Sequence, residues 1–254
     1  MMDKNCKLCV SRKADKSNSH IIPKFMGKGL YEDIQPKHAI IVNKLGKVRK
    51  EQDTPKEDNL LCAQCEKRLE KIETYFAGVF RDLGNIQSSK RKYKLDNLFG
   101  QDYLICEELN PSLYKLFVYS IIWRLSVCEI YEFGAFKLSK EIEEELRLFL
   151  DANLTDTHKE LMEINLEFYP LYHNILIKPK SKIRGYFMAF QSSNFTFSIF
   201  TVDYAILFYV NERELVKGLE HFSNNNENPV KIILGNDKTW MEWNNLVFAQ
   251  MLKN

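Results

Sequence analysis

The chain has 254 residues, of which 45% are hydrophobic and 13% aromatic, so it can bury a core and is not a disordered tail. No apolar run reaches the roughly 18 residues that a membrane-spanning helix needs, since Ser120 and Arg124 interrupt the longest candidate at 116–127. The first residues contain no apolar stretch of the kind that marks a secretory signal. We therefore expect a cytoplasmic protein with no membrane partner.

The net charge is +2, but the charges are unevenly divided along the chain. Residues 1–95 hold 21 Lys and Arg against 12 Asp and Glu, whereas residues 96–254 hold 15 against 22. A basic segment attracts polyanions such as nucleic acid, although basic loops are also often simply solvated. The charge pattern favours a nucleic-acid partner and leaves the second interpretation open.

The first 60 residues are expected to be rich in loops and to contain a short hairpin. Residues 39–42 make a strand run, 43–46 a turn, and 47–49 a returning strand. A helix is expected to begin near Cys62, because apolar residues then recur at intervals of three or four and make one helix face. Its members are Leu69, Ile72, Phe76, Val79, Phe80 and Leu83.

Longer helices are predicted next, followed by strands. Asn110 and Pro111 are expected to start an apolar helix that ends near Gly134, and Ser139 to cap a helix over 141–150. The predicted strands cover 174–178, 186–190, 195–200 and 205–210. The last two helices are expected to begin with the capping-box pairs Asn211/Glu214 and Thr239/Glu242.

These elements predict an α+β protein in two parts. The first is a small loop-rich module over 1–86, and the second is a mixed domain over 87–254. Within the second part we expect helices over 110–165, strands over 172–210 and helices over 211–254.

Two matched cysteine pairs are the most specific motif of the chain. Cys6 and Cys9 are separated by two residues, Cys62 and Cys65 likewise, and 52 residues lie between the pairs. This spacing is typical of zinc knuckles, two of which complete a tetrahedral four-thiolate site. Four sulfurs leave no open position, so the zinc is expected to be structural and to hold together a module with a thin core. The remaining cysteines follow apolar residues and are expected to be buried rather than ligating: Cys106 and Cys128.

Between the cysteine pairs lies the segment Ser19-His20-Ile21-Ile22-Pro23. Together with Gln52-Asp53, Leu60-Leu61-Cys62-x-x-Cys65-Glu66 and Glu73-x-x-Phe76, it resembles the HNH (His-Me finger) endonucleases over about residues 4–82. It is similar in particular to bacterial HNH-like proteins with four zinc-binding cysteines, which are associated with anti-phage defence. The resemblance implies a treble-clef or ββα-metal module, in which a β-hairpin and a helix clasp a catalytic metal.

The resemblance also implies a role for individual residues. His20 occupies the position of the general base that takes a proton from water, and a simple hydrogen bond to a turn is the alternative. Glu66 corresponds to a metal ligand for Mg²⁺ or Mn²⁺, although the helix dipole also favours a carboxylate in a first turn. Asn59 is the nearest match to an asparagine that orients the base, and a turn asparagine is the alternative. Ser19 stands where the family usually has a carboxylate, with Asp53 and Glu70 as possible substitutes.

Basic residues of the module are expected to grip phosphates. The expected contacts are Lys24, Arg49 and Lys67, and Lys28, Lys47 and Arg68 are further candidates, although each alone is more often a solvated charge. We therefore predict a metal-dependent endonuclease whose expected substrate is DNA rather than RNA, with structural zinc and catalytic Mg²⁺ or Mn²⁺. The mixed domain is expected to contact a protein partner or a second copy.

Two other functions stay open at this point. One is a catalytically inactive zinc module that binds nucleic acid or acts as a scaffold, and Ser19 in place of a carboxylate motivates it. The other is a toxin-like RNase, which uses the same chemistry on a different substrate.

Overall fold

The computed structural model describes residues 4–27, 39–42, 48–84, 93–130, 136–157, 159–160, 171–177, 188–193, 196–201, 204–211, 213, 218–224 and 229–253. Residue contacts group the chain into two units made of alternating segments. The first unit comprises 1–26, 53–91 and 109–167, and the second comprises 27–52, 92–108 and 168–254. The predicted domain boundary at residue 86 stays a prediction, because grouping residues by their contacts does not test which parts of the chain fold on their own.

The first unit begins with short strands and a long helix. Strand β1 (Ser19–His20) pairs antiparallel with β4 (Lys56–Glu57), so that His20 lies opposite Lys56. Helix α1 (Ala63–Gly84) starts where the cysteine motif predicts. Its expected apolar face is confirmed for the side chains that are buried there, which are Leu69, Ile72, Phe76 and Val79. Leu83 lies outside the residues whose side chains are described.

Helix α2 (Pro111–Val127) is buried along almost its whole length. Asn110 caps it, because its side-chain oxygen accepts hydrogen bonds from the backbone N–H groups of Ser112 and Leu113. The helix ends at Val127, earlier than predicted, because Cys128 takes an extended conformation. Phe117 stacks on Phe76 of α1 with ring centroids 4.4 Å apart, which joins the two helices.

Helix α3 (Lys140–Asn153) also belongs to the first unit and packs against α2. The expected cap is confirmed, since the Ser139 hydroxyl accepts a hydrogen bond from the Ile142 N–H. The remainder of the predicted helical segment up to 165 lies largely outside the described residues.

The second unit contains a hairpin and a seven-stranded sheet. Strands β2 (Ala39–Val42) and β3 (Val48–Glu51) pair antiparallel, which confirms the predicted hairpin, and its turn lies outside the described residues. The sheet has the order β5-β6-β11-β7-β10-β9-β8, with one parallel neighbour pair, β11 and β7. Its strands are β5 (Lys94–Leu98), β6 (Gln101–Cys106), β7 (Leu171–Ile177), β8 (Met188–Ser193), β9 (Thr196–Phe200), β10 (Tyr204–Tyr209) and β11 (Val230–Gly235).

Four of these strands coincide with predicted ones to within a few residues, whereas β5, β6 and β11 were not predicted. Strand β11 lies inside the segment 211–254 that was expected to be helical, so that expectation is wrong for 230–235. Helix α4 (Asp237–Lys253) follows it. Its cap is Asn236 rather than Thr239, because the Asn236 side chain accepts a hydrogen bond from the Thr239 N–H at 3.0 Å. The other proposed cap includes Glu214, which lies outside the described residues.

The core of the second unit lies where the sheet meets α4. Trp240 and Phe222 are almost fully buried there, together with Tyr103, Phe190, Phe200, Ala205 and Ile233. The fold is thus mixed α+β, as expected, with largely antiparallel pairing. Among the helices of the described ranges, none has both the length and the apolar composition that a bilayer span requires.

Candidate functional site

The four motif cysteines meet in the first unit. The Sγ atoms of Cys6, Cys9, Cys62 and Cys65 all lie within 4.8 Å of one another, and all four thiols are free of disulfides. The distance between the Cys9 and Cys62 sulfurs is 3.9 Å. Sulfurs at a bond length of about 2.3 Å around a tetrahedral zinc lie roughly 3.8 Å apart. The cluster therefore has the donors and the spacing to hold a metal ion such as zinc.

Backbone hydrogen bonds explain why the two cysteine pairs converge. The first pair lies in a turn closed by the Cys6 N–H on the Arg12 carbonyl, at 2.8 Å. The second pair begins α1, where the Asp15 carboxylate accepts a hydrogen bond from the Ala63 N–H. The Lys7 N–H donates to the Leu60 carbonyl at 2.9 Å and ties the two loops together.

The hydrogen bond between the Cys6 and Cys65 thiols shifts their pKa values in opposite directions. The pKa of Cys6 is lowered to about 4, chiefly because the Cys65 thiol hydrogen-bonds to it. The pKa of Cys65 is raised by the same bond and by burial. Removing the remaining protons would leave several thiolates crowded in a partly buried site, and a divalent cation offsets that repulsion.

Arginines surround this cluster. The Arg68 Nη2 donates to the Cys65 Sγ at 3.3 Å and pairs with the Asp151 carboxylate at 2.6 Å. The Arg147 Nη1 donates to the Leu8 carbonyl, between the first two cysteines, at 2.8 Å. Arg68 belongs to the basic set considered for phosphate contact, but its guanidinium is committed to these bonds instead.

His20 occupies a separate site in the same unit, built on the pairing of β1 with β4. Its Nδ1 hydrogen-bonds with the Thr54 hydroxyl at 2.7 Å, and its Nε2 lies 4.0 Å from the Asp53 Oδ2. The Ile21 N–H donates to the Pro55 carbonyl at 2.9 Å, which places the segment 53–56 beside the imidazole. About a fifth of the side chain is exposed, at 22%. One ring nitrogen of the histidine is thus held by a hydrogen bond, and the side chain as a whole is partly exposed.

The surroundings of His20 favour the neutral imidazole. Its pKa is lowered from 6.5 to about 4, mainly by burial, and the charges of Lys56, Arg124 and Lys24 act in the same direction. The Asp53 carboxylate opposes this shift but is outweighed. At neutral pH the ring therefore carries no charge and has a lone pair on one nitrogen.

Asp53 is the carboxylate that the structure brings to His20. Its carboxylate forms an ion pair with the Lys56 ammonium at 2.7 Å and accepts a hydrogen bond from the Thr54 N–H at 2.8 Å. The Lys24 ammonium lies 4.0 Å away. Burial acts to raise the pKa of Asp53, but these bonds outweigh it and the pKa is lowered. The sequence suggested Asp53 only as a substitute metal ligand, and in the structure its ionised carboxylate lies beside the His20 imidazole.

Arg124 anchors the backbone of His20 from α2. Its Nη1 donates to the His20 carbonyl at 2.7 Å and lies 2.6 Å from the Glu73 Oε1 of α1. The Arg124 side chain is only 2% exposed. Burial raises the pKa of Glu73, although the Arg124 charge opposes the shift. The sequence did contain a sign of this pair. Arg124 lies in the apolar run 116–127, and a charged side chain that is buried in such a run usually has a buried partner of opposite charge.

The other predicted site residues lie elsewhere or are not described. Glu66 lies in the first turn of α1, and its Oε2 is buried with no hydrogen-bond partner in the described part of the chain. Asn59 is exposed in a turn with a φ of 58°, and Thr54 rather than Asn59 bonds the imidazole. Lys67 is exposed on α1. Arg49 lies in β3, but its side chain is outside the described residues, as are Lys28 and Lys47.

Four more residues singled out in the sequence are described by the structure: Ser19, Glu70, Cys106 and Cys128. Ser19 is fully buried, and its hydroxyl has no hydrogen-bond partner within the described ranges. Glu70 is exposed on α1. Cys106 and Cys128 are buried, as expected, at 1% and 2% exposure.

Comparisons of the chain with protein-family models, with curated proteins and with solved structures found no match. The functional argument therefore rests on the geometry and chemistry of these two sites.

Proposed function

We propose that this chain hydrolyses phosphodiester bonds of nucleic acid, DNA in the first place, with His20 as the general base of an HNH-type module. The observation that carries the proposal is the neutral, half-buried imidazole held at Nδ1 by Thr54. A base must be unprotonated at the working pH and must reach the water it activates. His20 meets the first condition because burial lowers its pKa, and its partly exposed side chain supports the second.

The charges around His20 suit a phosphate. The ammonium groups of Lys24 and Lys56 flank the Asp53 carboxylate, with Lys24 68% exposed. Cations placed beside a reacting phosphate stabilise the charge that develops on its oxygens. The same two lysines lower the pKa of His20 and so keep the base unprotonated.

The four cysteines would hold a structural zinc in this proposal. The bound zinc would fix the loop of Cys6 and Cys9 against the start of α1, in a treble-clef arrangement. Because the site would be closed by four sulfurs, it offers no position for a substrate.

The described residues contain no ready-made site of three side-chain ligands for a second, catalytic ion. The cysteine cluster is the only group of three or more ligand side chains found close together in the described part of the chain. The Asp53 carboxylate is already paired with Lys56. We therefore assign no catalytic step to Mg²⁺ or Mn²⁺ and leave the requirement for either ion to experiment.

The test is cleavage of supercoiled plasmid DNA and of RNA by the purified chain, with Mg²⁺, with Mn²⁺ and with EDTA. His20→Ala should retain its zinc and lose cleavage at least 100-fold, because general bases contribute about 10²–10⁴-fold. The matched control is His221→Ala, which removes an exposed histidine of the second unit and should leave cleavage unchanged. Equal cleavage by His20→Ala and the unaltered chain would remove His20 from the mechanism.

The Asp53–Lys56 ion pair also favours a second candidate, a zinc-held module that binds nucleic acid without cleaving it. A carboxylate neutralised by its own lysine is less available to a catalytic cation. In that case the chain binds DNA, none of the metal conditions yields cleavage, and Glu66→Ala leaves binding unchanged.

A further inference from the structure

The guanidinium of Arg68 joins the cysteine cluster to α3. One Nη2 hydrogen points to the Cys65 sulfur at 3.3 Å, and the other to the Asp151 carboxylate at 2.6 Å. Its Nη1 donates to the carbonyls of Asp151 and Leu154, at 2.9 and 3.1 Å. All four terminal N–H bonds of this arginine are therefore committed, one to a thiol and three to the end of α3.

The three acceptors lie at the C-terminal end of α3, which stops at Asn153 with Leu154 as its cap. Carbonyls in the last turn of a helix have no partner inside the helix, and a cation there is favoured by the helix dipole. Arg68 thus caps α3 with the same group that touches Cys65. These contacts connect residues 83 and 86 positions apart in the chain.

A second arginine makes the matching contact at the other cysteine pair. Arg147 of α3 donates to the Leu8 carbonyl at 2.8 Å, inside the turn between Cys6 and Cys9. It is held in place by a bidentate pair with Glu144 on the same helix. Helix α3 is therefore linked to both halves of the cysteine cluster, directly at Leu8 and through Arg68 at Cys65.

A divalent ion bound by four thiolates carries a formal charge of about −2, so nearby cations stabilise the loaded site. Hydrogen bonds to ligand atoms also orient them, and losing such an outer contact typically weakens metal affinity about 10–100-fold. Arg68 supplies both effects at Cys65.

We infer that α3 is part of the metal centre: Arg68, positioned by Asp151, raises the affinity of the four thiolates for zinc, and bound zinc in turn stabilises the packing of α3. The two effects are one coupling free energy, so each must appear when the other does. The inference rests on the proposed structural zinc, but not on the proposed nuclease activity.

The affinity test uses the full chain and a zinc chelator of known strength in competition. Asp151→Asn leaves Arg68 and all four cysteines in place, and we expect it to weaken zinc binding about 10-fold or more. Arg68→Gln should weaken zinc binding at least as much. Arg68→Lys keeps the positive charge but not the several N–H donors of the guanidinium, so its zinc affinity should lie between those of Arg68→Gln and the unaltered chain. The matched control is Glu242→Gln, which breaks the exposed ion pair with Lys238 on α4 and should change nothing.

The absorption spectrum of the cobalt-substituted protein provides a second measurement, which a general loss of stability does not change. Removing the N–H···S bond raises the energy of the Cys65 thiolate electrons, so Arg68→Gln should shift the thiolate-to-cobalt charge-transfer band to longer wavelength. Hydrogen exchange gives the reciprocal effect: zinc loading should slow exchange of the α3 amides less in Asp151→Asn than in the unaltered chain, while the α4 amides are unchanged.

Unaltered zinc affinity in both Asp151→Asn and Arg68→Gln would overturn the inference, as would an unmoved cobalt band. If Arg68→Gln does not fold, Asp151→Asn decides. A chain that binds no zinc would remove the metal centre and this inference together. A chain that cleaves no nucleic acid but shows these shifts would leave the inference standing and remove only the nuclease proposal.

Discussion

The cysteine cluster and the His20 site lie in the same unit but are assembled from different kinds of residues. The cluster gathers four copies of one ligand from two local motifs, with all sulfurs within 4.8 Å of one another. The His20 site balances unlike groups from distant segments: an uncharged imidazole, the Asp53 carboxylate, and the cations of Lys56 and Arg124. The comparison teaches that repetition of one ligand type can be recognised in a sequence, whereas a balance of charges emerges only on folding.

The largest effect should come from breaking the cluster. We expect Cys62→Ser to abolish zinc binding and to unfold the first unit, since structural zinc is worth about 10–16 kcal/mol of apparent binding energy. Metal content by mass spectrometry and near-ultraviolet circular dichroism measure both effects. Cys106→Ala is the control, because this buried cysteine lies outside the cluster and should cost only about 1 kcal/mol. A Cys62→Ser chain with normal zinc content would contradict the cluster.

The His20 site should be most sensitive to its buried anchor. Arg124→Met leaves the Glu73 carboxylate buried without its ion-pair partner and the His20 carbonyl without this donor. Breaking one half of a buried pair typically costs about 3–5 kcal/mol, and urea unfolding measures the loss. The double variant Arg124→Met/Glu73→Leu should recover much of it, because no charge is left unpaired. Equal stability of the single and double variants would argue against a buried pair.

Acid should affect the His20 site through the imidazole. The folded pKa of His20, about 4, lies below its ordinary value of 6.5, so the unfolded chain takes up the proton first. Stability is therefore fully retained above pH 6.5 and is lost as the pH falls toward 4, by about 2–3 kcal/mol at pH 4.5. Urea unfolding at pH 7 and pH 4.5 should show a larger loss for the unaltered chain than for His20→Asn. Equal losses would mean that His20 is not held neutral.

The smallest effect is expected at Thr54. Thr54→Val keeps the shape of the side chain but removes the hydroxyl that bonds the His20 Nδ1, and should cost about 1 kcal/mol in urea unfolding. Thr54→Ser keeps the hydroxyl and serves as the control for the hydrogen bond. If the valine variant is no less stable than the serine variant, the bond contributes nothing to folding.

Local patterns in the sequence were sufficient for several elements. The period of apolar residues predicted α1, the cysteine spacing predicted the cluster, and Asn110 and Ser139 predicted two helix caps. Each of these features is recorded in a short local pattern; the cluster joins two such patterns that lie 52 residues apart. Strand β11 carries an apolar run, Val230 to Leu234, that could have been recognised, whereas β5 alternates too weakly to be noticed.

The composition of the His20 site could not be predicted in the same way. Arg124 reaches the His20 carbonyl across 104 positions, and Arg68 reaches Asp151 across 83. Such contacts depend on how the helices pack, and no repeating pattern of residues in the sequence predicts them. Asn59 was expected to orient His20 or to be a simple turn residue, and the pairing of β1 with β4 brings Thr54 to the imidazole. The roles of Glu66 as a ligand, and of Lys24, Arg49 and Lys67 as phosphate contacts, stay predictions.

The late position of α2 and α3 in the chain has a consequence for biosynthesis. The cysteines and His20 leave the ribosome well before Arg124, Arg147 and Asp151, which hold them in place. A nascent or truncated chain that stops before these residues lacks the donors for the His20 and Leu8 carbonyls. Translation must therefore proceed through α3 before the amino-terminal segment can acquire its final arrangement, so unfinished chains carry the motif residues without the finished site.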